Sequence, residues 1–188
     1  MSAAAFVYDA PLAHLRWGQG ERAVVLLHGI GGGREAWGDA MSGTGHALAE
    51  SGFLAIAPDL PGYGDSLSIA PYDMAGLAGA VVALIERLAP ARCALVGHSM
   101  GGMVAQEVMA RFPGRVQALV LSGTSPAFGK PDGSWQAQFL AQRLAPLDAG
   151  AGMAALAPGL ALGMASPMAA HDAVARAAVL MSSVPEAT

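Results

Sequence analysis

The stretch Ala94-Leu95-Val96-Gly97-His98-Ser99-Met100-Gly101-Gly102-Met103 decides how this chain is read. A short apolar run of strand type enters Gly97-x-Ser99-x-Gly101, and a run of helical period leaves it through Arg111. Strand, turn and helix in that order are the context in which Gly-x-Ser-x-Gly carries chemical meaning. The serine must sit on a sharp turn with strained backbone angles, and Gly97 and Gly101 lack the Cβ atoms that would collide there. Such a turn lifts the Ser99 hydroxyl above the C-terminal edge of a sheet and places it at a helix N-terminus. The Met100 N–H and the helix dipole then face any oxyanion formed beside it. Ser99 is therefore the candidate nucleophile, with Gly97, His98, Gly101 and Gly102 as its structural support.

Outward from this segment, short β-branched runs alternate with longer amphipathic ones. Strands are expected over Phe6–Ala10, Leu12–Trp17, Ala23–Leu27, Phe53–Ala57, Cys93–Val96 and Val116–Leu121. A loop and helix over Arg34–Ser51 and helices over Asp73–Leu88 and Met100–Arg111 lie between them, the last closed by Pro113 and Gly114. This alternation implies an α/β fold, a mostly parallel sheet flanked by helices. After Ser122 the β-branched residues thin out, and Trp135–Leu147, Gly152–Gly163 and Met168–Ser183 read as helices. Met153, Leu156, Leu160, Met164 and Met168 recur three or four apart, either as a stripe packed on a core or as the wall of a small apolar pocket.

Composition narrows the function classes. Of 188 residues, 54% are hydrophobic and 13% charged, which argues against disorder. Ten Lys and Arg against fourteen Asp and Glu give a net charge of −4, too acidic to suggest a nucleic-acid-binding surface. The single cysteine, Cys93, cannot close an internal disulfide, and within a buried strand its thiol should be inert. The five histidines are scattered, so no metal site is suggested. Met1–Phe6 lacks the basic start and apolar stretch of a secretion signal. The uncharged run Ala149–Ala170 is rich in Ala, Gly and Met and broken by Pro158 and Pro167, which disfavours a membrane span. A cytoplasmic protein without cofactor, acting on a small molecule, is expected; the oligomeric state is not legible.

A second element follows the Ala23–Leu27 strand, as His28-Gly29-Ile30-Gly31-Gly32-Gly33. An oxyanion needs two preorganised donors, and a glycine-rich loop after a central strand can bring a second one, the Ile30 N–H. His28 invites a general-base role, but its place before the glycine turn fits loop fixing better, with Gly29 beside it. The loop lacks both the Gly-x-Gly-x-x-Gly spacing and the lysine of a phosphate cradle.

His28-Gly29, Asp59-Leu60-Pro61-Gly62-Tyr63-Gly64-Asp65-Ser66 and Gly97-His98-Ser99-Met100-Gly101-Gly102 stand in the order and spacing of α/β-hydrolase-fold serine hydrolases, which this chain resembles from about Phe6 to Ser122. Ser-Met-Gly-Gly-Met followed by short helices resembles the 3-oxoadipate enol-lactonase and related esterase group. Ser99 in the nucleophile position, where an Asp would stand otherwise, disfavours a haloalkane dehalogenase or epoxide hydrolase. The resemblance implies a core over residues 1–124, the N-terminal portion of the fold, and the start of a helical cap over 125–188. It also implies cleavage of a small carboxylic ester or lactone through an acyl-enzyme on Ser99, with Ile30 and Met100 N–H groups holding the oxyanion. In this family the Asp59 segment mainly shapes a turn. C–C bond hydrolases and cofactor-free haloperoxidases share the same site, and a non-catalytic binding module of this fold is the alternative from another class.

The family's order is Ser, then acid, then His, carried by strands beyond the sixth. After Ser99 the only histidine is His171, next to Asp172 on an expected helix, where neighbours point in different directions. Ser122-Gly123-Thr124-Ser125 fills the place where an acid sometimes stands. The resemblance thus places the catalytic Asp and His beyond Thr188, and the 188-residue chain is expected to be nearly inactive. An open apolar edge at Val116–Leu121 predicts poor solubility or loose packing.

Overall fold

The computed structural model describes residues 12–39, 41–88 and 92–185, and the main chain alone of 5–7. Six strands form one sheet: β1 (Ala5–Val7), β2 (His14–Trp17), β3 (Arg22–Leu27), β4 (Phe53–Pro58), β5 (Cys93–His98) and β6 (Val116–Ser122). Their order is β1-β2-β4-β3-β5-β6. The strands β4, β3, β5 and β6 run parallel, while β2 pairs antiparallel with both β1 and β4. The mostly parallel sheet expected from the alternating pattern is therefore present. The expected strand Phe6–Ala10 is seen as Ala5–Val7, and its remainder lies outside the described residues.

Continuous apolar runs form the central strands because parallel strands are covered on both faces. In β3, Val25 and Leu27 point to one face, into a cluster with Leu95, Val81, Ile85, Val104 and Val108 from β5 and the helices α2 (Met74–Leu88) and α3 (Met100–Arg111). Val24 and Leu26 point to the other, with Trp17, Ala55, Trp37 and Leu48. Leu48 lies on α1 (Thr44–Glu50), preceded by a short 3-10 turn at Arg34–Trp37, so the loop and helix expected over Arg34–Ser51 are both present. The positive φ of Gly43 (64°) separates them. Helix α2 starts one residue after the expected Asp73 because that side chain accepts the Gly76 N–H at 2.7 Å and caps the first turn.

Three helices follow the sheet: α4 (Ser134–Asp148), α5 (Met153–Met164) and α6 (His171–Ser182). α5 and α6 pack on one another. The stripe of methionines and leucines is corrected here. The buried face of α5 is Ala157 and Ala161, flanked by half-buried Met153, Leu156 and Leu160, whereas Met164 and Met168 are exposed. The helix ends at Met164, so Met168 falls in a turn and the period is lost. Helix α6 begins at His171 and not at Met168. No helix among the described residues is long and apolar enough to cross a membrane, and Ala149–Ala170 is shared between a turn, α5 and the turn after it.

β6 is the outer strand beyond β5. Its sequence, Val-Gln-Ala-Leu-Val-Leu-Ser, has no charge or proline to blunt an open edge, and Val120 and Leu121 are 52% and 44% exposed. This edge predicts concentration-dependent self-association of the 188-residue chain. Val120→Lys, which sets a charge beside the open edge, is expected to lower light scattering at a given concentration; equal scattering by both proteins would locate the association elsewhere.

Candidate active site

The parallel arrangement sets the loops after β3 and β5 side by side at the C-terminal edge of the sheet, since these strands are neighbours. Between β5 and α3 the chain turns at Ser99, with φ 51° and ψ −120°; it is the one non-glycine residue with positive φ among those described. Hydrogen bonds hold the turn from both sides. The Ser99 N–H donates to the Ser122 carbonyl (2.9 Å), and the Ser99 carbonyl accepts from the N–H groups of Gly102 (2.9 Å) and Met103 (3.2 Å). It also accepts from the Thr124 hydroxyl (2.7 Å).

The glycines of the motif serve close approach. A Cβ at Gly97 would lie 2.5 Å from both the Gly101 carbonyl oxygen and Gly102 Cα. One at Gly101 would strike the backbone of Leu27 and His28, and one at Gly102 the Thr124 side chain. Gly29 presses on the turn itself: a Cβ there would be 2.9 Å from Ser99 Cβ and 3.3 Å from the His98 ring. The loop after β3 and the serine turn are thus in van der Waals contact, which brings Ile30 and Met100 to the same end of the sheet as Ser99. Met100 opens α3 and is half-buried, while Ile30 is 52% exposed. Neither backbone N–H is taken up by a hydrogen bond among the described residues.

His28 is 1% exposed, and both of its ring nitrogens are engaged. Nδ1 donates to the Gly29 carbonyl (2.9 Å) and Nε2 accepts the Leu60 N–H (3.0 Å), which assigns one neutral tautomer. The ring also stands edge-on to Tyr63, with centroids 4.8 Å apart. No nitrogen is left to take a proton from Ser99, so His28 ties the loop after β3 to the loop after β4.

Asp59 is buried in the same way. Its carboxylate accepts the Arg34 backbone N–H (2.7 Å) and pairs with the Arg34 guanidinium (2.5 Å), whose other nitrogen reaches Asp65 (2.6 Å). The Ser66 hydroxyl donates to the Asp59 carbonyl and accepts the Ala13 N–H. This bracing by Arg34, Asp65 and Ser66 has no local signature in the sequence, because Arg34 and Asp59 are 25 residues apart.

The hydroxyl of Ser99 makes no hydrogen bond among the described residues. His98 is exposed at the end of β5. His171 is exposed at the start of α6, and Asp172 pairs with Arg176 (2.7 Å), which holds the aspartate below its ordinary range. Cys93 is fully buried in β5, and burial pushes its thiol up to about 11. Among the described residues no three His, Cys, Asp or Glu side chains gather as a metal site would require.

Residues 22–166 match the family described as alpha/beta hydrolase fold. The chain belongs to that family. It is 38% identical over 129 residues to the protein named "Putative carbamate hydrolase RutD" of Variovorax paradoxus, covering 68% of this chain and 46% of that protein. It is 35% identical over 116 residues to the pimeloyl-[acyl-carrier protein] methyl ester esterase of Nitrosospira multiformis, covering 60% of this chain and 42% of that one. This α/β-hydrolase-fold chain thus aligns with less than half the length of either curated relative. The crystal structure of a hydrolase from Pseudomonas aeruginosa PA01 superposes with a TM-score of 0.67 at 26% identity, over 96% of this chain and 72% of that one.

Burial of His28 gives a pH test of its bracing role. Desolvation lowers its pKa below the ordinary 6.5, against the opposing effects of the Gly29 hydrogen bond and the Asp59 charge. The unfolded chain then binds a proton that the folded chain refuses, so the stability held above about pH 6.5 is lost as pH falls below it. The loss has a ceiling of about 1.4 kcal/mol per pH unit. Urea unfolding between pH 7.5 and 5.5 is expected to show this slope, and His28→Gln to flatten it. An equal slope in the variant would assign the proton uptake to another group.

Proposed function

We propose that Ser99 is the nucleophile of a serine hydrolase that cleaves small carboxylic esters or lactones. The observation that carries this reading is the backbone at Ser99: a strained positive φ in a non-glycine residue, held by four hydrogen bonds, beside two open N–H donors. A tight turn without chemical work would favour glycine there, because a side chain at positive φ is costly. The hydroxyl oxygen would attack the substrate carbonyl carbon and form a tetrahedral oxyanion held by the Ile30 and Met100 N–H groups. Collapse would expel the alcohol and leave an ester on Ser99, which water then hydrolyses.

Both steps need a base that takes the proton from the attacking oxygen and returns it to the leaving one. Since no histidine meets the Ser99 hydroxyl among the described residues, we infer that the acid and the histidine come from polypeptide following Thr188. Residues 1–124 then form the core and α4–α6 part of a cap over the site. The 188-residue chain alone is expected to lack meaningful turnover, because loss of a triad member removes about four to six orders of magnitude. The unpartnered hydroxyl also supports the second reading, a binding module that has given up catalysis.

Added imidazole separates the two. If the serine and its oxyanion donors are intact and only the base is missing, imidazole in solution should raise hydrolysis of p-nitrophenyl acetate by the 188-residue chain above imidazole's own rate. Ser99→Ala should abolish the excess. Equal rates for both proteins at every imidazole concentration would favour the binding module.

A further inference from the structure

A cavity of about 490 Å³ opens beside the serine turn, within the range of small-molecule sites. Ile30, Trp37, Met41, Val96, Leu180 and Met181 form its apolar lining, and no Asp, Glu, Lys or Arg side chain reaches it among the described residues. Ser99 lies just outside its lining, next to lining residues: Ser122 accepts the Ser99 N–H, Gly29 packs at the Ser99 side chain, and His98 precedes Ser99 in the chain. Two wall hydroxyls are already satisfied, Thr44 donating to Ser42 (2.9 Å) and Ser42 to the Ala36 carbonyl (2.9 Å).

Helix α6 closes one wall. Met181 lies against the loop after β3, its Cγ 3.0 Å from where a Gly31 Cβ would stand, and Leu180 approaches Gly33. Val184, just past the helix, packs on the core. The expected apolar wall is therefore built by α6, whereas the α5 stripe takes no part in it. Methionine in this place gives the wall an adaptable length, because its thioether chain has several low-energy shapes.

We propose that this cavity holds an uncharged aliphatic acyl chain and that Met181 limits its length. The proposal rests on the reading of Ser99 as nucleophile for the placement of the ester group at the cavity's mouth. A carboxylate at the far end of the chain would be stripped of water with no cation to meet it. An aliphatic end gains from each buried methylene, about 0.8 kcal/mol or roughly fourfold in affinity.

The test uses methyl butanoate, methyl hexanoate, methyl octanoate and monomethyl adipate, with dissociation constants from saturation-transfer NMR on the 188-residue chain. Affinity is expected to rise about fourfold per added methylene up to a limiting length. Monomethyl adipate, equal in chain to methyl hexanoate but ending in a carboxylate, is expected to bind at least about tenfold more weakly. Met181→Ala should move the limit to longer chains, and Met181→Leu should leave it in place. Equal affinities across the series overturn the proposal, as does tighter binding of monomethyl adipate, which would make His98 a carboxylate anchor. The neutral and charged probes decide this on the unsubstituted chain even if a variant does not fold. Chain-length-dependent binding without imidazole-dependent turnover would sink the nucleophile alone; turnover without chain-length dependence would sink the cavity assignment alone.

Discussion

The turn at Ser99 constrains everything around it. Holding a serine at φ 51° costs on the order of 1–3 kcal/mol, and the turn persists because its surroundings over-determine it. Four hydrogen bonds converge on the Ser99 peptide groups, each worth about 0.5–1.5 kcal/mol net, so together they match or exceed the strain. One of them comes from the end of β6 and one from Thr124 just past it, so the turn is set only when β6 has joined the sheet. The elbow is thus a product of tertiary structure, even though its motif is local. The glycines complete the arrangement by letting β5, α3 and the loop after β3 meet at backbone distance.

From that contact the rest of the site follows. Gly29 touches the Ser99 side chain, so the loop after β3 cannot shift without moving the serine turn. Two buried side chains fix the loop: His28 through its two backbone hydrogen bonds, and Asp59 through the Arg34 backbone and guanidinium. Both act by joining the loops after β3 and β4, and neither keeps a free atom for chemistry. Their burial makes them look like catalytic groups, and their hydrogen bonds assign them to bracing.

The sheet and the serine turn were legible because they rest on short-range patterns. Val24 to Leu27 must be a covered strand wherever the chain places it, and Gly97-x-Ser99-x-Gly101 between a strand and a helix permits few other geometries. What stayed hidden depends on pairing at long range. Arg34 and Asp59 stand far apart in sequence, and nothing near either one names its partner. The helices after β6 show the same limit from the other side. Met153 through Met168 kept a helical period in sequence, yet the helix ended at Met164 and its packing face fell on Ala157 and Ala161. In so alanine-rich a segment nearly every face is apolar, so periodicity could not choose the contact, and the wall facing the glycine loop came from Leu180 and Met181.

The site therefore divides into two parts with different physical requirements. Oxyanion donors must be rigid, because stabilisation of a developing charge depends on dipoles fixed before the reaction begins. In the proposed reading they are the Ile30 and Met100 backbone groups, on a loop braced by buried side chains and on a helix start, both attached to neighbouring parallel strands. A proton-transferring base needs reach and an appropriate pKa, and it can arrive on any element that passes the serine. Among the described residues nothing in the bracing of Ser99, Ile30 and Met100 involves a base: His28 and Asp59 are committed to the loops, and the Ser99 hydroxyl is left open. If Ser99 is the nucleophile, the six strands and their loops hold the rigid half of the site, and the half that moves protons makes no demand on that bracing.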